Sequence, residues 1–376
     1  MNRLFLVSGE ISGDTHAAAL LDALCERGEW KFSGLGGPLM QQRSEEIENW
    51  LDEAAVLGLW EVLKKYRYFR EKLDETMARI MGERPEGVVL VDYPGFNLRL
   101  AAALRRSGYC GKIVYYISPQ VWAWKKGRIR TMANLLDLMI CIFPFEKELY
   151  ESSGLPTKFA GHPLVEEMGR MKEEGIERET GLVALLPGSR EREVEKLFPP
   201  MLGAAKQLLA QEPGLRFVTS GATAALTERL EALVNESGLQ DVFSVGEHSS
   251  REIMQRATVG AVASGTATLE AACLALPYCL VYKVAWLTAF AARRVMSVPF
   301  LGIVNVIADD EVVRELLQNE ATAESIAREL GRLLNDSSAR NALQSELADV
   351  VNRLGGGGAH GNAAEAISEI IESHAS

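Results

Sequence analysis

Five short stretches of this sequence carry residue types able to act on a ligand. Ser8-Gly9-Glu10-Ile11-Ser12-Gly13-Asp14 follows an apolar run, Leu4–Val7. Its glycines, Gly9 and Gly13, either let backbone approach a ligand or simply form a tight turn, and the helix expected next offers free N–H groups. Ser12 adds a hydroxyl, and Glu10 and Asp14 add two carboxylates that can orient hydroxyls or take a proton. Asp92-Tyr93-Pro94-Gly95-Phe96-Asn97 follows Val88–Val91. Asn97 suits the N-cap of the next helix, which leaves Asp92 free for proton transfer. Pro187-Gly188-Ser189-Arg190 follows Leu182–Leu186 and sets backbone donors and a guanidinium at a helix start. That is either a phosphate seat or a capped helix with surface charge. Ser264-Gly265-Thr266-Ala267-Thr268-Leu269-Glu270 repeats the pattern. There Glu270 either accepts from ribose hydroxyls or is an ordinary glutamate behind an N-cap. Finally, Trp122 and Trp124 stand beside Lys125, Lys126, Arg128 and Arg130. They suit a wall for a sugar or acyl chain flanked by cations, or a core in which both indole N–H groups find partners.

The elements that must position these loops read as strand, turn and helix in alternation. Continuous apolar runs at Leu4–Val7, Val88–Val91, Ile113–Ile117 and Leu138–Ile142 suit parallel strands buried on both faces. Thr15–Arg27 and Leu98–Ser107 read as helices between them. The style repeats at Leu182–Leu186, Leu215–Thr219, Val242–Val245, Val259–Ala263 and Cys279–Tyr282. The fold class expected is α/β, with two Rossmann-like domains facing across a cleft. Residues 1–168 would form the first, 169–354 the second and 355–376 a tail helix beyond Gly355–Gly358. The polar run Glu173–Glu177 would lie in the linker. Ligands of open parallel sheets sit beyond the carboxyl ends of the strands, where all five stretches fall.

Composition narrows the function. The 376 residues are 47% hydrophobic and 24% charged, ordinary for a folded protein. Net charge is −11, which excludes a general nucleic-acid binder. Almost all of it lies in residues 167–376, while basic residues gather at Lys64, Lys65, Arg67, Arg70 and Lys72. With Trp60, Leu63, Tyr66 and Phe69 at spacings of three, that segment reads as an interfacial helix on a membrane surface, or as a helix packed on the protein's own core. Cys25, Cys110, Cys141, Cys273 and Cys279 are odd in number and form no CxxC, which fits a reducing cytosol. The five histidines show no metal-ligand spacing, so no metal is expected. No signal peptide is apparent, and the apolar stretch 271–292, broken by Pro277 and Lys283, reads as a buried strand between helices and not a membrane span.

In order along the chain, the Gly9–Asp14, Gly58–Leu63, Asp92–Asn97, Ser118–Trp124, Phe143–Glu146, Gly161–Leu164, Leu186–Arg190 and Ser264–Glu270 motifs closely resemble the lipid-A-disaccharide synthase family over nearly the whole chain. The resemblance implies a GT-B glycosyltransferase fold, with no cofactor and no catalytic metal. It implies transfer of 2,3-diacylglucosamine from UDP-2,3-diacylglucosamine to 2,3-diacylglucosamine 1-phosphate, with inversion. The products would be the β-1,6 disaccharide 1-phosphate and UDP. Asp92 and Arg190 match the family's activity-critical aspartate and arginine. On this reading Asp92 is the base, with Glu10 and Asp14 behind it or orienting sugar hydroxyls. Arg190 meets the departing diphosphate. Gly9, Ser12, Gly13, Asn97, Trp122, Trp124, Gly188, Ser189, Ser264, Gly265, Thr266, Thr268 and Glu270 bind UDP or sugar. The family further suggests a homodimer, held peripherally on the cytoplasmic face of the inner membrane. Gly95 departs from the pattern, standing where many members have a second aspartate, and Val304-Asn305 replaces a Pro-Asn pair. Two other readings remain: a non-catalytic lipid-phosphate binding protein, and another UDP-sugar enzyme of the same fold.

Overall fold

The apolar runs become the strands of two parallel sheets in a computed structural model, which describes residues 2–51, 61–121, 127–173, 176–283 and 299–375. The first sheet holds β1 (Asn2–Ser8), β2 (Trp30–Gly36), β3 (Ile47–Asn49), β4 (Gly87–Val91), β5 (Lys112–Tyr116), β6 (Leu138–Cys141) and β7 (Thr157–Phe159). Its order is β3-β2-β1-β4-β5-β6-β7. The second holds β8 (Glu179–Leu186), β9 (Arg216–Thr219), β10 (Phe243–Val245), β11 (Ala257–Ala263), β12 (Tyr278–Tyr282) and β13 (Glu315–Leu317), ordered β10-β9-β8-β11-β12-β13. Both are doubly wound, reversing direction between β1 and β4 and between β8 and β11. Their central strands are continuous apolar runs because helices cover both faces; Leu4–Val7, Val88–Val91 and Val183–Leu185 have no exposed surface.

The chain divides into two compact units, Met1–Pro163 with Gly355–Ser376, and Leu164–Leu354. The tail therefore belongs to the first unit. Its helix, Ala359–Ala375, packs against the Ile11–Cys25 helix and the sheet, and its Ala359, Ala363, Ala364, Ile367 and Ile371 are all fully buried. Small residues let the two backbones approach, and Ile371 lies over Gly87 at the start of β4. Polar ties add to this: the Tyr116 hydroxyl meets His360 Nδ1 at 3.0 Å, and Asn362 donates to the Ala160 carbonyl at 2.9 Å.

The helix Glu61–Glu83 carries the segment expected to meet a membrane or the core. Phe69 packs inward, its ring 6.2 Å from Trp50 and 6.4 Å from Phe96. Arg67 and Arg70 are exposed. Trp60 lies outside the described residues, as do the side chains of Leu63 and Tyr66. No described helix is long and apolar enough to cross a membrane.

Ile371→Ala should destabilise the first unit by about 2–5 kcal/mol, because it leaves a cavity under a fully buried site. Chemical denaturation checks this; a change under ~0.5 kcal/mol would mean the tail helix contributes little to that unit.

Candidate functional site

In the first unit the reversal of strand order brings the loop after β1 beside the loop after β4. Asp92 and Tyr93 both take the left-handed conformation, each with φ of 47°. Neither is glycine, so the elbow is strained and persists only because its surroundings over-determine it. The Asp92 carbonyl accepts from Asn97 Nδ2 at 2.7 Å and from the buried Tyr115 hydroxyl. Asn97 Nδ2 also reaches the Val91 carbonyl at 3.2 Å. The elbow turns the Asp92 side chain off the strand. Burial, then the negative charge of Glu10, push its carboxyl up from 3.8 to about 6, against a backbone N–H of Tyr93 that pulls it down.

Several expected site residues have other work. Asn97 is not the N-cap of the Pro94–Arg106 helix; Tyr93 is. Asn97 is fully buried and holds the elbow from behind, so it does not face a ligand. Asp14 is 2% exposed and accepts from the backbone N–H groups of Gly37, Leu39 and Met40 at 2.8–3.0 Å. It caps the short Pro38–Gln41 helix, and its acceptor capacity is committed there. Gly9 and Gly13 serve packing: a Cβ on Gly9 would lie 2.2 Å from the Tyr93 ring, and one on Gly13 2.5 Å from the Ser8 hydroxyl. Glu10 and Ser12 are exposed at the start of the Ile11–Cys25 helix, and Glu10 makes no cap with its side chain. Glu10 and Asp92 are thus the carboxylates brought together. Trp122 and Trp124 lie outside the described residues.

In the second unit, loops after β8, β9, β10 and β11 surround a cavity of about 730 Å³. Gly188, Ser189, Arg190, Ser264, Gly265, Thr266 and Glu270 all line it. Thr268 does not: it is 1% exposed, and its hydroxyl closes on the Gly265 carbonyl at 2.7 Å. Sequence reading missed Ser220–Ala222 and Gly246–Ser250, which complete the wall. It also missed two charges that occupy the expected seats. Glu193 Oε2 accepts from the Ser189 N–H at 3.2 Å, while its Oε1 pairs with Arg190 at 2.8 Å. Gly188, at φ 111°, leaves room for that carboxylate, which would lie 2.4 Å from a Cβ there. Arg251 donates twice to Glu270 Oε1, at 2.8 and 3.0 Å, and also pairs with Glu167. Among the described residues no bond takes the other oxygen of Glu270, Oε2.

Solved structures share this architecture at low identity. A putative UDP-N-acetylglucosamine 2-epimerase from Listeria monocytogenes superposes with TM-score 0.64 at 13% identity, covering 99% of this chain and 96% of its own. MurG of Acinetobacter baumannii gives 0.59 at 13%, covering 99% and 100%. The fold is that of the GT-B proteins, two Rossmann-like domains in one chain. A profile of the lipid-A-disaccharide synthetase family matches residues 4–370, and the chain belongs to that family. The lipid-A-disaccharide synthase of Geobacter sulfurreducens is 38% identical over 98% of this chain and 97% of its own length. That of Myxococcus xanthus is 36% identical over 98% and 97%. The chain is accordingly an enzyme, a glycosyltransferase of lipid A biosynthesis.

The raised carboxyl of Asp92 has a cost in stability. Its ionised form destabilises the fold above pH 6; the penalty fades as pH falls through 6 and is gone below about 3.8. Asp92→Asn should therefore raise stability at pH 8 by roughly 2–3 kcal/mol and by much less at pH 4. Urea unfolding at the two pH values reads this, and an equal gain at both would trace it instead to asparagine's ease in left-handed backbone.

Proposed function

We propose that the protein transfers 2,3-diacylglucosamine from UDP-2,3-diacylglucosamine to the 6-hydroxyl of 2,3-diacylglucosamine 1-phosphate. The products are the β-1,6-linked disaccharide 1-phosphate and UDP, and the anomeric centre inverts. The observation that carries this reading is Asp92: a carboxylate on a strained elbow at the strand-order reversal, pushed up to about 6 by burial and Glu10, in a chain of this family. As base it takes the proton of the acceptor hydroxyl while that oxygen bonds to the donor's anomeric carbon. The bond from that carbon to the diphosphate oxygen breaks on the opposite face, and its electron pair leaves with UDP.

The leaving charge falls to the second unit. Ser189, Arg190 and the Ser264–Thr266 turn supply backbone donors and a cation around one cavity, and on this reading Glu270 Oε2 accepts from the ribose. Solved neighbours include a UDP complex of Staphylococcus aureus MnaA and a UDP-GlcNAc complex of a Neisseria meningitidis epimerase, which supports a nucleotide role for such a cavity. These groups offset the diphosphate without a metal, so EDTA should leave the rate unchanged. Both substrates carry acyl chains; the protein therefore works against the inner-membrane surface from the cytoplasmic side, and the homodimer suggested by the family is part of the same proposal.

Asp92→Asn should cut turnover by about a hundredfold or more while keeping UDP affinity. The pH–rate profile should rise through about 6, and Glu10→Gln should move that limb to lower pH by removing the neighbouring charge. Formation of the disaccharide, followed by mass, is the assay. Near-normal turnover in Asp92→Asn would reject the base assignment.

Glu193 stands where a diphosphate oxygen would sit, on the Ser189 N–H and Arg190. Glu193→Ala should tighten UDP binding severalfold by calorimetry, and Arg190→Ala should weaken it. Weaker binding in Glu193→Ala would mean that the carboxylate supports the ligand and does not compete with it.

A further inference from the structure

A second cavity, about 550 Å³, lies on the first unit between the Glu61–Glu83 and Pro94–Arg106 helices. Its floor is Phe69, Leu73, Tyr93 and Phe96, side chains packed on the edge of the core. Its rim carries Arg70, Arg99 and Arg106 against a single acid, Asp74. Among the described residues no salt bridge takes any of these three arginines, whereas neighbouring Arg67, Arg79 and Arg105 are each paired with a carboxylate. An apolar floor under an uncompensated cationic rim fits a ligand with the same division: a hydrocarbon chain ending at an anionic group.

The groove also adjoins the elbow. Tyr93 lines it and follows Asp92 directly, and the Tyr93 ring lies against Gly9 on its other side. Gly95 sits at the lip, exposed, at the second position of its helix, and a Cβ there would meet no atom within 4 Å. An aspartate in its place would fit without collision and would add a carboxylate to the lip.

We propose that this groove is the seat of the acyl-phosphate part of the acceptor, one acyl chain on the aromatic floor and the phosphate on Arg70, Arg99 and Arg106. Gly95 is the residue that keeps a second acid off the seat. The ligand identity rests on the reaction proposed above; the binding chemistry does not.

The test uses the full chain and dodecyl phosphate below its micellar concentration, read by calorimetry, with dodecyl glucoside and inorganic phosphate as controls. Dodecyl phosphate should bind at least tenfold more tightly than dodecyl glucoside, and inorganic phosphate alone should not compete at equal concentration. Arg99→Ala/Arg106→Ala should erase the preference for the anion. Gly95→Asp should weaken dodecyl phosphate about tenfold without lowering Tm or UDP affinity, since an acid in the first turn suits the helix. Shortening the alkyl chain should weaken binding by roughly fourfold per methylene, as burial of a chain requires.

Equal binding of the neutral and anionic amphiphiles, or indifference to Gly95→Asp, would overturn the proposal. So would equal adsorption of wild type and Gly95→Asp to phosphatidylglycerol vesicles with no binding of monomeric dodecyl phosphate, which would assign the arginines to the bilayer surface. Loss of the groove's binding with disaccharide still formed rejects the groove and leaves the reaction standing. Intact binding with no disaccharide formed does the reverse.

Discussion

The carbonyl oxygen of Asp92 is the atom on which the shape of the first unit's elbow depends. Two buried donors, the Tyr115 hydroxyl and the Asn97 amide, hold it in place. Without them the chain leaving β4 would relax from two consecutive left-handed residues, a conformation disfavoured by about 1–3 kcal/mol per residue. With them, the carboxylate is turned off the strand, next to Glu10 and partly out of water. Its shifted proton affinity thus follows from a backbone constraint, and that constraint comes from two fully buried side chains.

The second unit solves its electrostatic problem differently. In its cavity, donors and cations are met by the protein's own negative side chains: Glu193 on the Ser189 N–H and Arg190, Glu270 on Arg251. Carboxylates near helix starts are favourable, which keeps these donors satisfied. Under the proposed reaction, a ligand's anion would exchange with an internal one. The strain of the first unit and the internal ion pairs of the second both lie at the carboxyl ends of neighbouring strands, where each sheet reverses.

What could be read from the sequence follows from how strongly each feature is encoded locally. Central strands such as Val88–Val91 are unbroken β-branched and aliphatic runs, so they stand out. β2 does not, since Trp-Lys-Phe-Ser-Gly-Leu-Gly contains no β-branched residue. β3, β7 and β13 are three-residue strands at or near sheet edges, too short to show a pattern. The loops after β1, β4, β8 and β11 were legible because strand-end position and residue type agree there. Partnerships were not. Asp14 reads as a free acid until the Pro38–Gln41 helix, more than twenty residues on, is seen to need a cap. Asn97 reads as a cap until its amide is found against the elbow. Ser220–Ala222 and Gly246–Ser250 form no motif by spacing, although the latter holds Glu247 and His248, and they join the cavity only through the order β10-β9-β8-β11.

The path of the chain sets an order of events during synthesis. The unit that begins at Asn2 is finished by Ile367 and Ile371, and the whole of Leu164–Leu354 is translated between its two parts. At about 5–20 residues per second, the ribosome takes on the order of 10–40 s to cross that interval. Throughout it the Ile11–Cys25 helix and the start of β4 lack their apolar cover, and by its end the later unit has every residue it needs while the earlier one still waits for the tail helix. The segment made first is thus the one completed last, and its apolar face stays uncovered until the tail helix has been made.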